Sequence, residues 1–164
     1  MSTDHPYTLY LFDEKLVYKL VAGEIVWDVP IDTLILIAEY TTNEGPMRDD
    51  YFLVFWCCEH DQLFEMKCSF YALDAIATME TLLKKLNAGT TLGLASSTEW
   101  KSNIVWPPKL AGKPFFENVE LVPKTFKARI YKAIFGPSFA FPPTPEVQAY
   151  LRGFVATTPK FEEL

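Results

Sequence analysis

The sequence predicts an α+β domain: an antiparallel sheet of about five or six strands packed by an amphipathic helix over residues 73–87. Three observations carry this. Apolar residues alternate or run continuously in short blocks up to residue 68. The period then changes to a single helical stripe, Leu73, Ile76, Met79, Leu83 and Leu86. The aromatic load is high, with 4 Trp, 8 Tyr and 13 Phe among 164 residues, as β-rich cores and contact surfaces require.

The strands follow in order. Thr8 to Phe12 and Leu16 to Leu20 are two short strands joined across Asp13-Glu14-Lys15. Glu24 to Val29 alternates, with Ile25, Trp27 and Val29 on one side, until Pro30 stops it. Leu34 to Ala38 is a continuous apolar run suited to a strand buried on both faces. Thr41 to Asp50 is a loop broken by Gly45-Pro46. Tyr51 to Cys58 is an intensely apolar strand, and Glu59-His60-Asp61 turns it into Gln62 to Cys68. Asn87 and Gly89 offer a stop to the helix that follows.

Residues 1–89 therefore read as an α+β core, 90–120 as an irregular connection and 121–164 as a helical extension of one domain. In that extension Val122, Phe126, Ile130 and Ile134 recur every four residues, predicting a helix near 123–135. Thr144 as N-cap, Pro145 at the first position and Glu146 in the first turn predict another near 145–155. Its stripe is Val147, Tyr150, Leu151 and Phe154, and both helices are expected to pack on the sheet unit. A pleckstrin-homology-like or other small curved sheet fits a strand meander followed by a helix.

The net charge is −6, which argues against nucleic acid as a partner. It is unevenly spread. Residues 1–100 hold 6 basic and 16 acidic groups, and residues 101–164 hold 9 basic and 5 acidic groups. The two parts attract each other, or solvate different faces, or reserve an acidic patch for a basic partner. The basic residues Lys124, Lys127, Arg129 and Lys132 are accordingly expected to face water or the acidic part, and no membrane partner is expected. Cys57, Cys58 and Cys68 form an odd set without metal-type spacing, and adjacent cysteines on a strand face opposite ways. With a polar beginning at Met1-Ser2-Thr3-Asp4, the expectation is a reduced, cytoplasmic protein with buried thiols.

No nucleophile elbow, zinc-protease helix, phosphate loop or dinucleotide fingerprint is present. No catalytic residue, metal ligand or cofactor is assigned. Cys57, Cys58, His60 and Cys68 are the right types for zinc, but the cysteines lie in core-like strands. Glu44, Asp49 and Asp50, with Arg48, are the candidate contact cluster. Paired carboxylates do acid–base work or hold a hard cation, and they also cap turns through backbone N–H groups. Trp100 and Trp106, with Phe139 and Phe141, are aromatics near Pro or Ser in irregular stretches, where they serve as contact anchors or plug a core edge.

The pattern from Val29-Pro30-Ile31-Asp32 through Thr41-Thr42-Asn43-Glu44-Gly45-Pro46 to Asp49-Asp50-Tyr51-Phe52 resembles a group of small uncharacterised bacterial proteins. They share an apolar strand, a Thr-Thr…Gly-Pro loop, an Asp before an aromatic strand, a hairpin and a helix. The resemblance covers residues 25–87, although Ile31 stands where the group usually has tryptophan. It implies a bacterial, cytoplasmic, single-domain protein and lends no catalytic residue.

The leading expectation is a non-enzymatic protein-interaction module; an immunity or inhibitor protein that masks a basic partner is one form. The alternatives are a small-molecule or lipid-headgroup binder using a pocket in the sheet, and an enzyme with a carboxylate site in loop 42–50.

Overall fold

The computed structural model describes residues 5–43, 48–94, 97, 99–122, 124–135 and 139–155. The chain runs β1 (Tyr7–Phe12), β2 (Lys15–Leu20), β3 (Ile25–Pro30), a 3-10 turn (Ile31–Thr33), β4 (Leu34–Thr41), β5 (Tyr51–Glu59) and β6 (Gln62–Ser69). Then come α1 (Ala75–Lys85), β7 (Lys101–Trp106), β8 (Val119–Glu120), α2 (Phe126–Phe135), β9 (Phe139–Ala140) and α3 (Pro145–Val155).

The fold is α+β, but the strands do not form one sheet of five or six. They make a three-stranded sheet β1-β2-β3, a four-stranded sheet β6-β5-β4-β7 and a small ribbon β8-β9, all antiparallel. The division falls at Pro30, which ends β3 without an N–H to donate, and the 3-10 turn after it carries the chain into another layer.

Two hairpins turn on paired left-handed residues. Asp13 and Glu14 have φ 47° and 59°, and His60 and Asp61 have φ 49° and 62°; each pair joins strands in direct register, Phe12 opposite Lys15 and Glu59 opposite Gln62. This is the turn whose twist matches that of the flanking strands.

One face of the four-stranded sheet buries Ile37, Leu53, Phe55 and Cys57 against Leu9, Leu16, Tyr18 and Val29 of the three-stranded sheet. Helix α1 closes this core with Ala75, Met79, Leu82 and Leu83. The buried stripe is rotated from the expected one, and Ile76 is 55% exposed. The cause lies at the helix start. Leu73 is bonded to β1 (Leu9 N–H to Leu73 O, 3.0 Å; Leu73 N–H to Tyr7 O, 2.9 Å), and Asp74 at the N-cap takes φ 61°. Asn87, at φ 51°, ends α1 as expected, and the Ala88 N–H caps Leu83 O at 2.9 Å.

The opposite face of that sheet carries a second core. Leu36, Ala38 and Val54 meet Ile104, Leu110, Phe115 and, from α3, Val147 and Leu151. Tyr150 donates to Ile35 O at 2.9 Å, and the Thr144 hydroxyl caps the Val147 N–H at 3.4 Å. Cys57 and Cys58 point into different cores, as neighbours on a strand must.

Two expectations for the second half are corrected. Residues 101–106, placed in an irregular connection, form β7 beside β4. The stripe expected to bury α2 is turned outward: Val122 is 80% and Phe126 77% exposed. Pro123, Gly136-Pro137 and the Ile134 side chain lie outside what is described.

Candidate functional site

A groove opens on the second face of the four-stranded sheet, where the cover from α3 ends. Strand alternation builds its floor. Tyr40 on β4 stands opposite Phe52 on β5, and Lys67 on β6 lies along the same face. The Tyr40 and Phe52 rings stack at 5.1 Å and 21°. The far wall comes from distant chain. Phe116 meets Tyr40 edge-on at 5.8 Å, Phe141 meets Phe116 at 5.3 Å, and Trp100 stacks on Phe141 at 4.1 Å and 11°.

Backbone bonds set that wall. The N–H groups of Phe115 and Phe116 both donate to Ser102 Oγ, at 3.0 and 3.1 Å. Thr144 N–H reaches Phe115 O at 3.0 Å, and Glu117 N–H reaches Pro142 O at 2.9 Å. The Trp100 indole donates to Asn43 Oδ1 at 2.9 Å. The resulting depression has a volume of about 380 Å³ and is rimmed by Glu65 and Lys67, paired at 2.7 Å. Burial raises the Tyr40 phenol above its ordinary pKa, so that side chain is a neutral hydrogen-bonding ring at the floor.

A second depression of about 330 Å³ adjoins the first and shares Tyr40, Phe52 and Lys67 with it. Its other end is made by Tyr7 and Tyr18, stacked at 5.1 Å, with Asp49 and Cys68. Burial pushes the Tyr18 phenol up to about 12 and holds the Cys68 thiol protonated, well above its usual range. A protonated buried thiol is a poor nucleophile. A third depression of about 440 Å³ lies between α1 and residues 88–92, where Ile76 and Leu83 line it.

The acidic loop is split between separate partners. Asp49 Oδ2 lies 3.1 Å from His5 Nε2, and the other ring nitrogen of His5 lies 3.3 Å from both N and O of Tyr7. Asp50 accepts from the Tyr71 hydroxyl at 2.6 Å, and burial together with that carboxylate pushes the Tyr71 phenol up to about 12. The two carboxylates thus brace the entry to β5 through different contacts. Arg48 is exposed, Glu44 lies outside the described residues, and so does the Phe139 side chain. Trp100 enters the groove. Trp106 does not: it pairs with Ile37 and packs on the first core. Among the described residues no group of three His, Cys, Asp or Glu is placed to hold a metal ion.

One polar constellation carries no mark in the sequence. Glu39, fully buried on β4, accepts from the Tyr51 hydroxyl, from Asn103 Nδ2 at 2.7 Å and from the N–H groups of Gly93 and Leu94 at 2.8 and 3.4 Å. Burial first, and the bond to Glu39 second, hold the Tyr51 phenol far above its ordinary range. With every donor engaged by one carboxylate, this is a latch that ties residues 93–94 to the sheet rather than a free acid. Tyr40, Phe52 and Lys67 were also not marked: their signal is the alternation of β4, β5 and β6, which shows a shared face only once the register is known.

No protein-family model matches the chain, and neither curated proteins nor solved structures give a match.

Proposed function

We propose that the chain is a non-enzymatic protein-interaction module that takes an extended segment of a partner protein in the aromatic groove. The observation that carries this reading is the joining of two shallow depressions through Tyr40, Phe52 and Lys67. A small ligand is normally held with most of its surface enclosed, whereas an extended peptide lies along an open trough and places alternate side chains in successive hollows. Flat aromatic rings give such a segment large contact area at low entropic cost. Asp49 in one depression and the Glu65–Lys67 pair at the junction offer polar selection, and the acidic first hundred residues favour a basic partner. An immunity or inhibitor protein is one form such a module takes.

A second reading, a small-molecule binder, draws on the volume of the first depression, about 380 Å³, which lies within the usual range for ligand pockets. Selection of a displayed random-peptide library on the folded chain separates the two. The expected result is a peptide whose affinity drops about tenfold or more in Phe52→Ala and in Trp100→Ala. The same peptide should bind Phe12→Ala unchanged, since Phe12 is 68% exposed and outside the groove. Failure to select any peptide, or binding that ignores Phe52 and Trp100, overturns the peptide reading.

A further inference from the structure

The segment from residue 121 to residue 145 holds Lys124, Lys127, Arg129 and Lys132 and no carboxylate, within a chain of net charge −6. Leu121, Val122, Phe126 and Ile130 join neither core. Val122 is 80%, Phe126 77% and Ile130 46% exposed, and Leu121 and Val119 extend the exposed strip toward β8. At 100° per residue Phe126 and Ile130 project within about 40° of each other on α2, and Lys127 and Arg129 fall to either side of them. No ion pair between described residues uses Lys124, Lys127 or Arg129. The helix thus presents an apolar stripe flanked by cations, with no ion pair or core contact among the described residues.

We infer that α2 is an interfacial helix that docks the protein on a lipid bilayer bearing anionic headgroups. The chemistry of the stripe favours lipid over an acidic protein. A bilayer satisfies both halves of the pattern: acyl chains receive the stripe, and headgroup charges receive the flanking cations, whose long stems reach back to the surface. The helix lies on the membrane rather than through it. Its 10 residues span about 15 Å, roughly half the hydrocarbon thickness, and no helix among the described residues is long and apolar enough to cross. None of the described residues lining the aromatic groove comes from 119–135, so docking leaves that groove open.

Flotation of the full chain with vesicles tests this. The expected result is partition onto phosphatidylcholine–phosphatidylglycerol vesicles, little onto pure phosphatidylcholine, and release at high salt. Phe126→Ser should weaken partition about tenfold or more. Lys124→Gln/Lys127→Gln/Arg129→Gln should weaken it roughly a hundredfold. All four positions are exposed, and far-UV circular dichroism checks that each variant is folded. Absence of binding to the mixed vesicles, equal binding to neutral ones, or binding that ignores both variants overturns the inference. A chain that ignores vesicles but is retained by immobilised poly-glutamate through the same three cations overturns it too, and assigns the surface to an acidic protein.

Discussion

The two faces of the four-stranded sheet are built from the same strands and end up doing different work. On one face Ile37, Leu53 and Phe55 are sealed beneath a second sheet and α1. On the other, Leu36, Ala38 and Val54 are covered at one end by α3 and Phe115, and Tyr40 and Phe52 stand in an open groove at the other. Adjacent residues on one strand, Phe52 and Leu53, belong to these two worlds. The difference teaches that strand alternation only supplies two apolar faces; which one becomes a core is decided by the elements that return to cover it. Stability should therefore concentrate on the first face and recognition on the second.

The sharpest way to break this comparison is a matched pair of truncations. Phe55→Ala, in the closed core, is expected to cost about 4 kcal/mol, from lost transfer energy plus an unrelaxed cavity. Phe52→Ala, three positions earlier on the same strand, should cost about 1 kcal/mol, because its ring is already partly in water. Urea unfolding of both variants measures the difference. Equal costs would mean that the second face is as much a core as the first.

The next effect sits on the closed side. Glu39→Ala strands the Tyr51 hydroxyl, the Asn103 amide and two backbone N–H groups around an empty space, and is expected to cost about 3 kcal/mol. Glu39→Gln keeps one acceptor oxygen and should cost less than half as much. Hydrogen exchange should report the loss first at Gly93 and Leu94, the amides that the carboxylate holds.

Alkali should also loosen the first core. The Tyr18 pKa is raised from 10.0 to about 12, chiefly by burial, so the folded chain holds this proton more tightly than the unfolded one. The unfolded state binds fewer protons between those values, which makes stability fall as pH rises from 10 toward 12 and level off above it. The loss should approach roughly 2 kcal/mol. Tyr18→Phe removes the titrating group, and its unfolding midpoint should decline less over that interval than that of the wild type.

Local pattern carries some of this architecture and long-range pairing carries the rest. The turn at His60-Asp61 is legible because two polar residues interrupt apolar alternation, even without glycine. The end of α1 is legible at Asn87, although the burial of Ile76 is misjudged because the pairing of Leu73 with β1 sets the helix phase. Strand β7 escapes notice because Lys101-Ser102-Asn103 dilute its pattern, and only its place beside β4 makes it a strand. The groove is the extreme case. Tyr40, Phe52, Lys67, Trp100, Phe116 and Phe141 have no common spacing and meet only through sheet register and the Ser102 bonds. Of the contact residues that the sequence itself offers, Trp100 reaches the first depression and Asp49 the second.

The smallest effect probes how far the open side departs from a finished core. The Trp56 indole N–H is buried among the second-core residues and has no hydrogen-bond partner among the described residues. On the closed side, by contrast, the buried carboxylate of Glu39 and the hydroxyl of Thr78, which donates to Leu9 O at 2.9 Å, are both engaged. An unpaired buried donor costs about 1–3 kcal/mol, comparable with the packing energy that the second ring of tryptophan adds over phenylalanine. The two terms oppose each other in Trp56→Phe, so its stability should lie within about 0.5 kcal/mol of the wild type. A loss of several kcal/mol on urea unfolding would show that this ring is packed as tightly as Phe55, and the contrast between the two faces would fail at its centre.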